Sequence, residues 1–382
     1  MSLTPKERVL TALEHRQPDR VPLDIGGTFT SAINVHAYRN LSQHLGLDLP
    51  AQIIREQTQS VTVPEELRQR LGIDVVGIYE RAPVLLLEKP DEHGVLVNEW
   101  GVRYRRECSG HYTLITSPLR DATLDDLENY AWPDPLAASR FAGLPEETDA
   151  LRESDYAVAG NLGWSEIFGM AWYLRGFEQF AVDLAQDQDM AHALLRRVTD
   201  YNLARYGRFL EIVGDVLDVV LFCDDIGGQQ GLLISPRMYR NMIKPYHAEL
   251  LAMIKAHCRA RIIMHSCGSI MPILDDFIEI GADILNPVQV SAKGMDTIEL
   301  KRRFGERVVF WGAIDTQHIL PYGNPEEVRA EVQRRAGDLG RSGGYVVAPV
   351  HVVQADVPPA NVLALCDAVH QTGHGFAWTR EA

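Results

Sequence analysis

Eight short apolar runs, separated by longer amphipathic stretches, are the feature of this sequence that most limits its possible folds. The runs that we predict to be strands are VPLDIGG (21–27), VVGIY (75–79), YAVAGNL (156–162), VVLFCDD (219–225), RIIMHSCG (261–268), ILNPVQ (284–289), VVFWGAID (308–315) and YVVAPVH (345–351). Most of them lack polar alternation, which is typical of parallel strands covered on both faces. With helical patterns between them, they predict an α/β protein, a single (β/α)₈ TIM barrel over residues 1–382.

The stretch VLLLEKPDEHGVLVNEWGVRYRREC (84–108) interrupts this pattern after the second predicted strand. Its segments alternate polar and apolar residues around an EHG turn, which predicts a β-hairpin insertion. The alternative to a barrel is an open, doubly wound sheet. The first βα connection has no G-x-G-x-x-G loop, so dinucleotide binding has no support.

Charge and cysteine content restrict the partners and the compartment. The net charge of −15 disfavours nucleic acids and anionic membrane surfaces as partners. The five cysteines are odd in number and do not have the spacing of a disulfide framework, which favours a reduced, cytoplasmic protein. The amino-terminal segment lacks the apolar core of a signal peptide, and no run of about 18 apolar residues is present, so we expect no membrane partner.

Polar residues gather at the predicted strand ends, which is where barrels of this kind build their active sites. Candidates for contacting a small-molecule substrate are Asp24, Gly27, Asn161, Asn286, Gln289 and Asp315. Asp224 and Asp225 are candidate catalytic carboxylates that could orient or protonate a substrate. Because neighbouring residues of a strand face opposite sides, we expect only one of these two carboxylates to enter the barrel mouth.

His265 and Cys267 form an H-x-C pair in IIMHSCGSI. Residues two apart on a strand share a face, so both side chains point into the mouth if that face is the interior. An imidazole beside a thiolate suits Zn²⁺, and His351, at the end of the last predicted strand, is the candidate third ligand. The structural alternative stays open, because a buried cysteine is often a small apolar residue and a buried histidine can be a hydrogen-bonded core residue.

Five sequence blocks carry a resemblance to a known enzyme superfamily. They are TPKERVLTALEHRQPDRVPLDIGGT, FCDDIGGQQGLLISPRMYRNMIKPYH, HSCGSIMPILDDFIEIGADILNPVQ, FGERVVFWGAIDTQHILPYGNPEEV and GGYVVAPVH…VPPANVLAL. Over nearly its whole length the chain resembles the uroporphyrinogen decarboxylase superfamily. The resemblance implies a (β/α)₈ barrel and one of two activities: a metal-free decarboxylase, or a zinc-dependent methyltransferase that works with a corrinoid.

The chain resembles the methyltransferase branch more closely, because that branch binds zinc through a His-x-Cys pair that His265 and Cys267 match. A later Cys of an A-P-x-C block completes the site in that branch, and here the block reads APVH, so His351 takes its place. One thiolate and two imidazoles leave a zinc site with a net charge of about +1, which favours a Lewis acid over a promoter of thiolate nucleophilicity. We therefore expect methyl transfer between an ether or amine and a corrinoid carried by a partner protein. A homodimer is compatible with the superfamily.

The decarboxylase branch is the alternative. It binds a tetrapyrrole with many carboxylates through an arginine-rich motif after the first strand. Here that stretch reads DIGGTFTSAINVHAYRNL, which contains only Arg39. Because such a substrate requires compensating cations, this alternative depends on Arg39, Arg81 or Arg175. A ligand-binding barrel without chemistry is a third, less favoured alternative.

Overall fold

The structure is a computed structural model that describes residues 2–81, 91–107, 112–163 and 166–373. Its strands, in chain order, are β1 (Ile33–Asn34), β2 (Ile53–Arg55), β3 (Ser60–Val61), β4 (Val75–Tyr79), β5 (Val95–Val97), β6 (Arg103–Arg106), β7 (Tyr112–Thr116), β8 (Ala157–Asn161), β9 (Val219–Cys223), β10 (Arg261–His265), β11 (Ile284–Asn286), β12 (Val309–Ile314) and β13 (Tyr345–Pro349). β1, β3 and β2 form a small antiparallel sheet.

The helices, in chain order, are α1 (Pro5–Leu13), α2 (Val35–His44), α3 (Glu65–Leu71), α4 (Leu124–Glu128), α5 (Leu144–Leu151), α6 (Phe168–Arg175), α7 (Phe177–Gln186), α8 (Gln188–Val213), α9 (Pro236–Met238), α10 (Lys244–His257), α11 (Leu274–Glu279), α12 (Thr297–Phe304), α13 (Ile319–Tyr322), α14 (Pro325–Leu339) and α15 (Pro359–His370). Among these described helices, none is long and apolar enough to cross a membrane.

Seven strands form a curled parallel sheet in the order β13-β12-β11-β10-β9-β8-β4. Each of these strands pairs with the next one along the chain, and helices lie in most of the connections between them, which is the arrangement that the apolar runs predicted. The register places His265 of β10 opposite Asn286 of β11 on one side and opposite Cys223 of β9 on the other. Seven of the eight predicted strands are therefore confirmed, as is the α/β class.

The first predicted strand, 21–27, differs from the prediction, because only Leu23 forms a bridge, with Val347 of β13. The backbone N–H of Asp24 donates to the carbonyl of Val347 over 2.9 Å, and on the other side Asp74 donates to the carbonyl of Leu23, also over 2.9 Å. Pro22 has no N–H to donate, and Gly26, with a φ of 86°, turns the chain, so the extended run is short. The segment 22–24 nevertheless contacts both edges of the parallel sheet.

A three-stranded antiparallel sheet, β5-β6-β7, lies between β4 and β8 in the chain and extends beyond the β-hairpin insertion that the sequence predicted over 84–108. At the β5–β6 turn, the side chain of Asn98 accepts from the N–H groups of Trp100 and Val102, each over 3.0 Å. Glu99 of this turn contacts Arg140, which also contacts Glu80 after β4, so a buried ion-pair cluster anchors the sheet. Residues 84–90 and 108 of the predicted insertion lie outside the described residues.

The inner face of the parallel sheet determines which side chains reach the candidate site. Alternate residues of its strands form one buried cluster, which includes Leu221 and Cys223 of β9 and Ile263 of β10. The residues between them pack in a larger cluster with the helices. Because side chains alternate along a strand, His265 falls on the same inner face as Ile263, at the carboxyl end of its strand.

Candidate metal and substrate site

Three side chains that can bind a metal converge where β9 and β10 end. Asp225, His265 and Cys267 each offer a ligand atom, and these atoms lie within 4.8 Å of one another. Nε2 of His265 lies 3.4 Å from Sγ of Cys267 and 3.7 Å from Oδ1 of Asp225. We call these three residues the donor group. Sulfur, imidazole nitrogen and carboxylate oxygen are the ligand types that zinc takes in proteins.

Asn286 sets the orientation of the His265 ring. Its Oδ1 contacts Nδ1 of His265, and its Nδ2 donates to the carbonyl of Trp311 over 3.0 Å, which identifies the oxygen as the atom facing the ring. Thr30 donates to the same oxygen over 3.2 Å. Nδ1 of His265 therefore carries the proton, and the lone pair of Nε2 faces Cys267. Holding one ring nitrogen in this way is how proteins orient histidine ligands of metals.

Cys267 follows β10 by two residues, and Asp225 holds its backbone. The N–H of Cys267 donates to Oδ1 of Asp225 over 2.6 Å. Burial, together with the nearby carboxylate, raises the pKa of the Cys267 thiol well above its usual value. Without a metal the sulfur therefore stays protonated at neutral pH, and a metal that binds it must displace this proton.

Asp224 and Asp225 face opposite ways, as the alternation of strand residues predicted. Asp224 is fully buried and accepts from the N–H groups of Phe168 and Gly169 at the start of α6, over 2.6 and 2.8 Å. It also lies 2.9 Å from Nε2 of His247. Asp224 thus binds the amino terminus of a helix, and Asp225 is the member of the pair that lies in the donor group.

Asp24, Gly27 and Asn161, which the sequence singled out for substrate contact, hold one another in the structure. Asp24 accepts from the N–H of Gly27 over 2.8 Å and from the indole of Trp311 over 2.9 Å. Asn161 accepts from the N–H of Phe29 over 3.1 Å and donates to the carbonyl of Gly27 over 3.0 Å. Burial raises the pKa of Asp24 to about 6. These contacts fix the loop that presents Phe29 to the site.

Gln289 and Asp315 are also engaged with the backbone of loops. Gln289 accepts from the N–H of Gly268 over 2.8 Å and so supports the loop that follows Cys267. Asp315 accepts from the N–H groups of Gln317 and His318, over 2.6 and 3.1 Å, and caps the turn after β12. Asn286 contacts the ring of His265, as described above. The six residues predicted to bind substrate therefore contact other parts of the protein, and none of them is among the described residues that line the cavity next to the donor group.

A cavity of about 250 Å³ adjoins the donor group, and we call it the inner cavity. Its described lining combines metal-binding, aromatic and cationic side chains, among them Asp225, His265, His351, Phe29, Trp172, Tyr173 and Arg55. An outer cleft of about 610 Å³ shares Thr58, Tyr173 and His351 with it. His351 therefore lies where the two spaces meet. Its ring nitrogens do not belong to the donor group.

The charge state of His351 suits a ligand. Burial, and the nearby side chains of His265 and Arg55, lower the pKa of His351 to about 4. Its imidazole is therefore neutral at physiological pH, and only a neutral imidazole can bind a metal.

The three arginines on which the decarboxylase alternative depended are not among the described residues that line the inner cavity. Arg39 is exposed on α2. Arg81 contacts Glu147, and Arg175 is buried against Asp183 over 2.6 Å. Among the described residues that line the inner cavity, Arg55 is the one arginine or lysine. The sequence analysis missed it because it ends a short edge strand of the small sheet and belongs to no motif.

Comparison with known proteins agrees with this architecture. The sequence profile described as uroporphyrinogen decarboxylase (URO-D) matches residues 100–372. The uroporphyrinogen decarboxylase of Alkalilimnicola ehrlichii is 24% identical over 387 aligned residues, which cover 97% of this chain and 95% of the relative. The methylated-thiol–coenzyme M methyltransferase of Methanosarcina mazei is 25% identical over 262 residues, which cover 67% of this chain and 65% of the relative.

Among solved structures, a methyltransferase from Methanosarcina mazei has a TM-score of 0.68 and 20% sequence identity, with 97% of this chain and 99% of that chain covered. This likeness supports the fold, and the sequence profile, which matches more than half of the chain, establishes the ancestry. The chain therefore belongs to the uroporphyrinogen decarboxylase family.

Proposed function

We propose that this chain is a zinc-dependent methyltransferase that moves a methyl group between a small methylated substrate and a corrinoid carried by a separate protein. The observation that carries the proposal is the donor group, in which Nε2 of His265 faces Sγ of Cys267 at 3.4 Å. A decarboxylase that works without metal has no need of a thiol and an imidazole held in this way. The methylated-thiol methyltransferase among the relatives is consistent with the proposal.

His265 and Cys267 fit zinc, because the ring is oriented by Asn286 and the thiol lies within reach of the ring nitrogen. We propose His351 as the third ligand, since its imidazole is neutral and lines the same cavity. Its ring nitrogens lie outside the donor group, so ligation by His351 requires a change in the positions of these side chains. Asp225, which already lies in the donor group, is the competing third ligand. Zinc held there would act as a Lewis acid on the heteroatom that carries the methyl group.

The two ligand sets differ in charge, and the charge bears on the substrate. With His265, Cys267 and His351, a zinc site keeps a net charge of about +1, which favours polarising an ether or amine. With Asp225 in place of His351, two anionic ligands would neutralise the ion and weaken that preference. Because Oδ1 of Asp225 accepts the backbone N–H of Cys267, we propose that Asp225 positions the thiol and exchanges the proton of the substrate heteroatom.

The outer cleft provides the route for the corrinoid. It meets the inner cavity at Thr58, Tyr173 and His351, next to the donor group. A methyl group held in the inner cavity would face a partner that docks over this cleft. We also propose that the parallel sheet and the segment 22–24 form a closed (β/α)₈ barrel as a single domain, because that segment binds both β13 and the residue preceding β4.

Decarboxylation of a carboxylated substrate is the second candidate function. Several curated relatives are uroporphyrinogen decarboxylases, and Arg55 in the inner cavity could bind one carboxylate. A substrate with many carboxylates needs several cations, and Arg55 is the one arginine or lysine among the described residues that line the inner cavity, which favours the methyltransferase.

Metal analysis of purified protein tests the proposal. We expect stoichiometric zinc in the wild type and in Cys366→Ala, whose cysteine is buried on α15 away from the site. We expect Cys267→Ala and His265→Ala to lose most of the zinc. Zinc-loaded protein should transfer a methyl group from an aryl or alkyl methyl ether to a reduced corrinoid, seen by the change in corrinoid absorbance. A metal-free wild type that decarboxylates a porphyrinogen would overturn the proposal.

A further inference from the structure

The fold holds the two principal members of the donor group in different ways. His265 is the last residue of β10 and is paired with Cys223 of β9 and with Asn286 of β11, so the sheet fixes its backbone. Cys267 lies two residues beyond the end of β10. The position of its sulfur therefore depends on the loop that contains it, which we call the β10 loop (residues 266–270).

The segment that follows β9, which we call the β9 loop (residues 226–233), binds the β10 loop on both sides of Cys267. Before the cysteine, the N–H of Ile226 donates to Oγ of Ser266 over 2.9 Å. After it, the N–H of Ser269 donates to the carbonyl of Gly228, also over 2.9 Å. The two loops thus continue the contact between β9 and β10 past the ends of these strands.

Between these two hydrogen bonds, a pair of glycines brings the loops together backbone to backbone. A Cβ at Gly227 would lie 2.5 Å from the carbonyl oxygen of Cys267 and 3.1 Å from the backbone nitrogen of Ser269. A Cβ at Gly268 would lie 2.6 Å from the carbonyl carbon of Gly227 and 2.7 Å from the backbone nitrogen of Gly228. Gly268 also has a φ of 88°, in the left-handed region that favours glycine. Backbone atoms cannot rotate away as a flexible side chain can, so any side chain at either position forces the loops apart.

We infer that Gly227 and Gly268 are positioning residues of the zinc site, an inference that rests on the function proposed above. The carbonyl of Cys267 packs against Gly227, and the N–H of Cys267 donates to Asp225, so both sides of its peptide backbone are held. This contact keeps Sγ of Cys267 at 3.4 Å from Nε2 of His265. Zinc requires its sulfur ligand at about 2.3 Å and its nitrogen ligand at about 2.0 Å, so a small displacement of the loop costs affinity.

Zinc affinity of alanine variants, measured by competition with a chromophoric chelator, tests this inference. We expect Gly227→Ala to bind zinc roughly 10- to 100-fold more weakly than the wild type, which is the usual effect of losing a group that supports a metal ligand. Gly268→Ala should lose at least as much, because it combines the steric clash with an unfavourable φ. The matched control is Gly231→Ala in the same β9 loop, where an added Cβ meets no atom of the described residues within 4 Å. This control should bind zinc as the wild type does.

Cobalt substitution distinguishes a positioning role from a merely structural one. Bound to the wild type, Co²⁺ should show the charge-transfer absorption of a thiolate ligand, and in Gly227→Ala this band should weaken or shift because the sulfur is displaced. Urea denaturation of the metal-free proteins reports stability separately. A Gly227→Ala variant that is less stable but has the zinc affinity and the cobalt spectrum of the wild type would overturn the inference.

A milder variant keeps the inference testable should Gly227→Ala not fold. Ser266→Ala removes the acceptor of the Ile226 N–H and so loosens the same contact between the loops. We expect its zinc affinity to fall several-fold, and an affinity equal to that of the wild type would overturn the inference. A wild type that binds no zinc refutes the methyltransferase and this inference with it, whereas a wild type that binds zinc, with unchanged variants, refutes only the positioning role.

Discussion

Nε2 of His265 lies 3.4 Å from Sγ of Cys267, with the two residues separated by one position in the chain. The alternation of side chains puts both on one face of the chain, but it does not orient the imidazole ring. That orientation comes from Asn286 on the neighbouring strand, which occupies Nδ1 and leaves Nε2 to face the sulfur. If the donor group binds zinc as proposed, its metal affinity depends on a residue that does not touch the metal.

Replacing Asn286 with alanine should therefore weaken zinc binding without removing a ligand. We expect the affinity to fall by roughly 10- to 100-fold, the usual effect of losing a group that orients a histidine ligand. Competition with a chromophoric chelator measures it. Asn161→Ala is the matched control, because Asn161 holds the Phe29 loop and does not contact His265. An affinity in Asn286→Ala equal to that of the wild type would show that other contacts hold the ring.

The identity of the third ligand can be decided by a pair of variants. We expect His351→Gln to lose zinc and Asp225→Asn to keep it while losing methyl transfer, because Asp225 is proposed to position the thiol and exchange a proton. Zinc content and single-turnover methylation of a reduced corrinoid, measured on the same samples, report the two effects. The reverse result, in which only Asp225→Asn loses zinc, would identify Asp225 as the third ligand. The zinc site would then carry no net charge.

The fold could be predicted from the sequence largely because parallel strands covered on both faces are continuous apolar runs. β9 and β13 are buried throughout, and their runs stand out against the amphipathic helices. The prediction of a strand over 21–27 was wrong in its length, because Pro22 and Gly26 limit the extended backbone to a few residues. The three-stranded sheet was underestimated because β7 has a mostly exposed, mixed pattern that differs little from a loop.

The site could be predicted only in part. Strand alternation indicated that only one of Asp224 and Asp225 faces the barrel mouth. It cannot say which one, because the position of the strand in the sheet determines which of its alternate residues face the interior. The structure resolves this through α6, whose free N–H groups bind Asp224. Arg55 could not be found in the same way, since a residue on a short edge strand reaches the cavity only through tertiary packing.

The role of Asp224 as a helix-binding carboxylate predicts a loss of stability on mild substitution. In Asp224→Asn, an amide NH₂ replaces one carboxylate oxygen. This NH₂ group then faces either the N–H groups of α6 or His247, and it cannot accept the hydrogen bonds that the carboxylate accepts. We expect the free energy of unfolding to fall by about 2–4 kcal/mol, measured by urea denaturation of the metal-free protein. Asp356→Asn, at an exposed position, should change it by less than about 0.5 kcal/mol. A change in Asp224→Asn as small as that of Asp356→Asn would contradict the role.

Asp24 should make the stability of the protein depend on pH in an unusual direction. Burial raises its pKa from 3.8 to about 6, so the folded state binds this proton more tightly than the unfolded state does. The free energy of unfolding contributed by Asp24 is therefore highest at low pH and falls as the pH rises from about 4 to 6, and it stays constant above that range.

The expected fall is on the order of 3 kcal/mol, because one pKa unit corresponds to about 1.4 kcal/mol. Urea denaturation of the metal-free wild type and of Asp24→Asn at several pH values measures it, since the difference between the two curves isolates this carboxyl from the many others that titrate nearby. The curve of the wild type should descend relative to that of the variant across this window, and a carboxyl ¹³C resonance titrating near pH 6 should be absent from Asp24→Asn. Parallel curves would mean that the hydrogen bonds from Ser31, Trp311 and Gly27 outweigh burial and keep Asp24 charged at its ordinary pKa.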